Sequence, residues 1–431
     1  MVKFGENNEV IQEEDGRAIL VGLQLNEDIS YSMQELWGLA EAAGVTVLGE
    51  LIQNKERADN ATLIGKGKVE ELAELCVNMG ADTVIFNDEL SGMQLRNLEE
   101  RLNVRVIDRT ILILDIFASR AISREGKLQV ELAQLQYRMP RLLGFGNALS
   151  RLGGGIGTRG PGEKKLETDR RHIQRRMDDI RAELAEVKEH RSTQRQKRQK
   201  SGLPVVALVG YTNSGKSAIM NRMMSMTDKE EKAVFEKNML FATLDTSQRL
   251  VKMDTNQEFF LIDTVGFVSK LPHTLVRAFK ATLEEVVYAD YLLHVVDSSY
   301  EAADFHINVT EGVLKELGAE GKDKLLVYNK IDLLEDRSHL FEGGKNSIAV
   351  SAKTGEGFDV LLEKIQEALF GDLQMVKLVI PYDRGDLSNY LCQKIKPQRM
   401  EYQAEGTCFE ILLDGADRNR FADYMKDWSK V

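Results

Sequence analysis

The stretch that most restricts how this chain can fold is GYTNSGKS, Gly210–Ser217. It follows the apolar run PVVALVG and opens KSAIMNRMMSM, so it reads as buried strand, loop and helix. Its G-x4-G-K-S spacing lets backbone N–H groups converge on phosphate oxygens, and the helix N-terminus adds positive potential. Gly210, Tyr211, Thr212, Asn213, Ser214, Gly215, Lys216 and Ser217 are therefore candidate phosphate contacts. Lys216 is expected to reach the β- and γ-phosphates, and Ser217 to ligate Mg²⁺. A loop of this kind sits at the end of a parallel strand. The surrounding segment is thus expected to be α/β, a mostly parallel sheet with helices on both faces.

Four further motifs follow in an order that fits a GTPase. DTVG (Asp263, Thr264, Val265, Gly266) ends the strand-like EFFLID; Asp263 would stand in the outer shell of Mg²⁺, and the Gly266 N–H would bond a γ-phosphate. FATLD (Phe241, Ala242, Thr243, Leu244, Asp245) lies in between, and Thr243 is the candidate second Mg²⁺ hydroxyl and switch residue. NKID (Asn329, Lys330, Ile331, Asp332) follows another strand. The Asp332 carboxylate suits the adjacent N1–H and N2–H₂ donors of guanine, which adenine lacks, while Asn329 would brace the loop and the purine. SAK (Ser351, Ala352, Lys353) would offer the Ala352 N–H to guanine O6. Thr243, Gly266 and Phe267 form the expected switch. Phe267 stands where many small GTPases carry a glutamine that orients the attacking water, and phenylalanine cannot make that bond.

Four segments are legible along the 431 residues. Residues 1–110 alternate strand and helix signals, with helices stopping at Gly or Asn, and read as an α/β domain. Residues 111–202 are helical. In the first arm Leu128, Leu132 and Leu135 share a stripe; in the second, Leu166, Ile173, Met177, Ile180, Leu184 and Val187 step in heptads. Two such helices joined by a turn make an antiparallel hairpin, with HRSTQRQKRQKSG expected as its frayed end and linker. Residues 203–372 form the GTPase domain, and residues 373–431 a small α+β domain.

The turn between the arms is RLGGGIGTRGPGEKK, in which six of the ten residues from Gly153 to Gly162 are glycine. Gly153, Gly154, Gly155, Gly157, Gly160 and Gly162 permit close backbone approach, and Arg151, Arg159, Lys164 and Lys165 supply cations for phosphate. Residues 111–200 carry twenty Lys/Arg against eleven Asp/Glu, so the segment is +9 inside a chain of net charge −11. A basic, polyanion-facing arm on an acidic body is the reading this asymmetry supports. The three cysteines have no metal-ligand spacing and read as reduced thiols of a cytoplasmic protein; no run approaches a membrane span, and the polar start is not a signal peptide.

The strings IGKGKVEELAEL, NLEERLNVRVIDRTILILDIFASRA, REGKLQVELAQL, GGGIGTRGPGE, LETDRR, GYTNSGKS, FATLD, DTVGFVSKLPH and AFKATLEE, in this order, closely resemble the HflX GTPases. The likeness runs over residues 60–290, and NKID and SAK extend it to about 370; the tail is a weaker match. It implies a cytoplasmic GTPase, monomeric when free and at most peripheral to the membrane. It also implies binding to the large ribosomal subunit and its rRNA, with the hairpin tip near the peptidyl-transferase centre, and dissociation or rescue of ribosomes under stress. Lys164 and Lys165, Thr246 and Ala218 depart from the family pattern, without removing a ligand.

Two other readings remain at this level: a GTP-dependent switch acting on a protein partner, and ATP-dependent RNA remodelling by the N-terminal domain through GKGK, Gly65–Lys68. That tetrapeptide lacks Walker spacing and reads better as a turn before a helix. His294 is expected to be a satisfied core residue and His273 to lie in the moving loop after Gly266, neither with a catalytic role. From Phe267 it follows that the protein alone turns GTP over slowly and is stimulated by a partner, which the resemblance implies is the ribosomal subunit. Phosphate release by the purified chain should stay well below the roughly 5–20 per second of stimulated GTPases, and a basal rate in that range would refute the reading.

Overall fold

The structure is a computed structural model describing residues 16–149, 161–227, 241, 247–253, 257–270, 280–300, 303–335, 346–371, 374–392, 397–413 and 415–426. These fall into two compact units. The first comprises the described residues of Met1–Arg198, Glu236–Thr246 and Val265–Glu284, the second those of Gln199–Phe235, Ser247–Thr264 and Glu285–Val431.

In the first unit β1 (Arg17–Gln24), α1 (Ser30–Ala42), β2 (Thr46–Asn54), α2 (Lys66–Met79), β3 (Thr83–Phe86), α3 (Gly92–Leu102) and β4 (Arg105–Asp108) alternate strictly. The strands pair in parallel in the order β2-β1-β3-β4. Ile19, Val21, Val84, Phe86 and Val106 meet Val69, Leu72 and Leu98 in one buried cluster. Helix ends are set locally, as the sequence suggested. Gly80 and Asn103 take the left-handed conformation at φ 63° and 52° and stop α2 and α3, while Ser91 and Gln94 form a capping box that starts α3.

Three helices follow: α4 (Arg109–Arg120), α5 (Arg124–Leu149) and α6 (Pro161–Ser201). The heptad seam is real: Leu128, Leu132, Met177 and Ile180 are buried together, flanked by Leu135, Met139, Ile173 and Leu184. Arg124 pairs with Glu183 at 2.7 Å and Arg176 grips Glu131 through two bonds of 2.7 Å. Partners along this seam rise in one helix as they fall in the other, so the helices run antiparallel.

The run HRSTQRQKRQKSG, expected to fray, is helical through Ser201. Arg, Gln and Lys are good helix formers and sustain a helix without an apolar stripe. At the other end Pro161 opens α6, a position that suits its fixed φ. Gly162, Lys164 and Lys165 therefore lie in the first turns of a helix rather than in a loop. Arg151, Gly153, Gly154, Gly155, Gly157, Arg159 and Gly160 lie outside the described residues.

The second unit contains β5 (Val205–Gly210), α7 (Lys216–Thr227), β6 (Ser247–Lys252), β7 (Glu258–Asp263), the last part of α8 (Lys280–Tyr288), β8 (Tyr291–Asp297), α9 (Ala303–Leu317), β9 (Lys324–Asn329), β10 (Ser347–Ala349) and α10 (Phe358–Phe370). The sheet order is β10-β9-β8-β5-β7-β6, parallel except for β6 against β7. This is the expected α/β architecture; the antiparallel edge strand β6 is an addition that SQRLVK, with two apolar residues in six, did not signal. Residues 374–426 form a small antiparallel sheet, β11 (Gln374–Ile380), β13 (Gly406–Leu413) and β12 (Arg399–Gln403) in that order. Its core holds Leu378, Ile380, Phe409, Ile411 and Phe421. Of its helices, α11 (Gly385–Tyr390) and α12 (Gly415–Arg420), the second ends earlier than the sequence suggests and is followed by a 3-10 turn at Ala422–Tyr424. Among the described residues no helix is long and apolar enough to cross a membrane.

The hairpin's stability is expected to lie in its seam rather than its ion pairs. Ile180→Ala, at a fully buried position, should cost about 2–5 kcal/mol. Arg176→Ala, whose partner Glu131 is like it about half exposed, should cost about 1 kcal/mol or less. Urea unfolding of the full chain followed by circular dichroism would compare them; equal costs would refute the assignment.

Candidate nucleotide-binding site

The parallel strands of the second unit deliver the motif residues to one edge of the sheet. Gly210 ends β5 and starts the loop, with φ at 147°; a Cβ there would lie 2.2 Å from the Val295 carbonyl oxygen. Gly215 has φ at 92°, and a Cβ there would lie 2.1 Å from Asn329 Nδ2. Both positions thus demand glycine, one for its neighbour on β8 and one for its neighbour on β9. The Ser214 hydroxyl is buried without a hydrogen-bond partner among the described residues. A polar ligand is what such a group lacks.

Lys216, the first residue of α7, is 5% exposed and donates to the carbonyls of Gly210 (3.1 Å) and Tyr211 (2.7 Å). Burial lowers its pKa to about 8, against the attraction of Asp263. Ser217 Oγ donates to Asp263 Oδ2 at 2.6 Å, so the hydroxyl and carboxylate assigned to a metal shell are already adjacent. The site thus offers hard oxygen donors beside a phosphate cradle, a donor set that fits Mg²⁺. Thr264 donates its hydroxyl to the Leu208 carbonyl at 2.6 Å, which commits that side chain to the sheet. Tyr211 stacks on His306 with centroids 3.9 Å apart and is buried, so its ring is a packing element.

Asn329, 1% exposed, joins two loops: its Nδ2 donates to the Ser214 carbonyl (2.9 Å), and its Oδ1 accepts from the Ala352 N–H (3.0 Å). The Ala352 N–H, expected to face guanine O6, is in this arrangement spent on Asn329, because the side-chain amide reaches it first. Asp332 accepts from Ser351 Oγ at 2.7 Å, with Lys353 Nζ 3.9 Å away. Lys330, at φ 67°, pairs with Asp297 at 2.7 Å, and Ile331 is buried. NKID and SAK are therefore one hydrogen-bonded unit.

Phe241, Gly266 and Phe267 are buried, Phe267 at 1% exposure; Ala242, Thr243, Leu244 and Asp245 lie outside the described residues. His294 is buried with Nδ1 3.4 Å from Glu311, and its Nε2 has no partner among the described residues, so it is less fully satisfied than expected. That contact and Lys324 hold Glu311 down to about 2. His273 lies outside the described residues. Gly65 caps α2, with its N–H donated to Gln53 Oε1 at 2.7 Å, and Lys68 pairs with Glu71, so GKGK is a helix start. Sequence reasoning missed the stack of His306 on Tyr211. It also missed Glu35 and Arg109, a buried ion pair in the first unit; Glu35 among Met33, Leu36 and Leu39 on the buried face of α1 was the available signal.

Four family models match the chain in succession. They are described as GTP-binding GTPase N-terminal (residues 30–118), GTP-binding GTPase Middle Region (120–198), 50S ribosome-binding GTPase (205–330) and HflX C-terminal domain (338–415). Among curated relatives, a GTPase HflX of Caldanaerobacter subterraneus is 48% identical over 98% of this chain and 96% of its own. One of Lacrimispora saccharolytica is 44% identical over 94% and 98%. That of Escherichia coli is 42% identical over 89% and 91%.

The buried lysine makes nucleotide binding dependent on pH. Phosphates would favour the charged form and raise a pKa that stands at about 8, so the nucleotide-free protein loses the proton first as pH rises. GDP affinity should be level below pH 8 and fall above it, by up to about tenfold per pH unit. Titration calorimetry from pH 7 to 9 would show the break, and a level affinity throughout would refute it.

Proposed function

We propose that this chain, which belongs to the HflX family of GTPases, couples GTP hydrolysis to binding of the large ribosomal subunit and to dissociation or rescue of ribosomes, in the cytoplasm and under stress. Family membership makes it a GTP-binding, GTP-hydrolysing enzyme. The further steps are our reading. The observation that carries it is the cradle of Gly210–Ser217 held against Asn329, with Ser217 on Asp263, at the end of a parallel sheet.

In this reading the loop N–H groups bind the phosphates, and Lys216 exchanges two backbone carbonyls for β- and γ-oxygens. Ser217 and Thr243 would hold Mg²⁺, with Asp263 behind them; the ion supplies charge neutralisation on the phosphates. Asp332 takes the guanine donors while Ser351 fixes its carboxylate. The Gly266 N–H senses the γ-phosphate, and Phe267, being apolar, leaves orientation of the attacking water to other groups. The basic hairpin, stiffened by its seam, presents its tip to rRNA, where Arg151, Arg159, Lys164 and Lys165 meet phosphates. The family model described as a 50S ribosome-binding GTPase supports the choice of partner.

Co-sedimentation with purified large subunits across a salt series tests this. Binding should weaken as salt rises, since cationic contacts release counterions. Replacing residues 153–162 by a short neutral turn should spare GTP binding and abolish subunit dissociation. Unchanged dissociation, or binding indifferent to salt, would overturn the proposal and favour a protein partner.

A further inference from the structure

We infer that helix α4 transmits docking of the basic arm to GTP hydrolysis, with Arg109 and Glu35 as positioning residues that act through Ser269. The inference rests on the proposed function, and all its contacts lie within the first unit.

Two consecutive residues at the β4–α4 junction face two different elements. Asp108 is fully buried. Its Oδ1 accepts from the Ile111 N–H at 3.0 Å and so caps α4. Its Oδ2 accepts from Tyr137 Oη (2.6 Å), Arg141 Nη2 (2.9 Å) and the Leu90 N–H (3.1 Å). Tyr137 and Arg141 belong to α5, the first arm of the hairpin, and the Arg141 guanidinium lies 3.4 Å above the Tyr137 ring. The start of α4 is thus bound to the arm.

Arg109 turns to the segment after DTVG. It is 2% exposed and pairs with Glu35, donates to Asn87 Oδ1 (3.1 Å), and donates to the hydroxyl (3.1 Å) and carbonyl (3.3 Å) of Ser269. The Ser269 hydroxyl in turn donates to Glu35. Lys270 adds an outer ion pair to Asp88 at 2.7 Å. Two turns along α4, Phe117 meets Phe241 edge to face with centroids 4.5 Å apart. Ser269 lies three residues after Gly266 and Phe241 two before Thr243, so one helix holds a residue beside each switch position.

A buried charge pair has no water to fall back on, so it keeps its partners as long as the protein is folded. Displacing the Asp108–α5 contact moves the cap of α4, and with it Arg109 and Ser269. Coupling through such an element is a bias on which arrangement of the switch segments is populated. It stands in for the glutamine that Phe267 does not supply.

Ser269→Ala removes the two hydroxyl contacts of the tether, keeps only the Arg109 bond to the Ser269 carbonyl, and leaves the Glu35–Arg109 pair whole, so it avoids stranding a buried charge. GTPase rates of the wild type, Ser269→Ala and Ser269→Thr would be measured with and without purified large subunits, alongside subunit binding and GTP affinity. For Ser269→Ala the expectation is wild-type GTP affinity, subunit binding and basal rate, with stimulation reduced about tenfold. Ser269→Thr, which restores the hydroxyl, should recover most of it. Full stimulation of Ser269→Ala, or loss of GTP or subunit binding in step with it, overturns the inference alone. A wild type that subunits do not stimulate overturns the proposed function as well.

Discussion

Parallel strands leave all their carboxyl ends on one edge of a sheet, and the second unit depends on that constraint. β5, β7, β8 and β9 end at Gly210, Asp263, Asp297 and Asn329, four residues spread over more than a hundred positions of sequence. Because β5 lies between β7 and β8, the loop after it is crowded from both sides. The Val295 carbonyl presses on Gly210 and Asn329 on Gly215, which leaves hydrogen as the only side chain either position admits. The glycines of the motif are therefore a consequence of the sheet order as much as a provision for phosphate. Asn329 closes the arrangement by bonding backbone on both its sides.

The buried polar groups are of two kinds, and their partners tell them apart. Asp108 is saturated by an amide of α4, a second amide, a phenol and a guanidinium, and nothing in its surroundings calls for a ligand. Lys216 is held by two carbonyls of its own loop, and burial pulls its pKa down to about 8, so its charge is under-compensated in the protein alone. Anionic oxygens would supply what those carbonyls do not. The first pattern belongs to a joint and the second to an anion-binding site.

What could be read from the sequence was what is local. Gly210–Ser217 carries its strand, loop and helix with it, and the heptad steps from Ile173 to Leu184 predict a seam that only a facing helix can fill. The helix stops at Gly80 and Asn103 were legible for the same reason. The edge strand β6 was not, since an edge exposes half of its residues and Leu250 itself is 39% exposed. Nor was the joint at Arg109, because pairing Glu35 with a residue seventy-four positions away, and both with Ser269, is a product of tertiary packing. Glu35 on an apolar helix face marks a polar residue in need of a partner without saying which one.

Electrostatics give the arm a role before any contact forms. Residues 111–200 carry +9 while the remainder of the chain must carry −20 to reach −11. Arg170, Arg171, Arg175 and Arg176 are exposed along α6, and the heptad residues face the seam instead. A polyanion is thus attracted by one element and repelled by the net charge of the remainder, over a range of about 8 Å at physiological salt. Such a field orients an encounter as well as accelerating it, because approaches that lead with the acidic parts are unfavourable. A uniformly basic protein of the same size would bind nucleic acid in many poses. Confining the net positive charge to a hairpin with a buried seam leaves one element to make first contact, and that element is the one whose first helix Asp108 ties to α4.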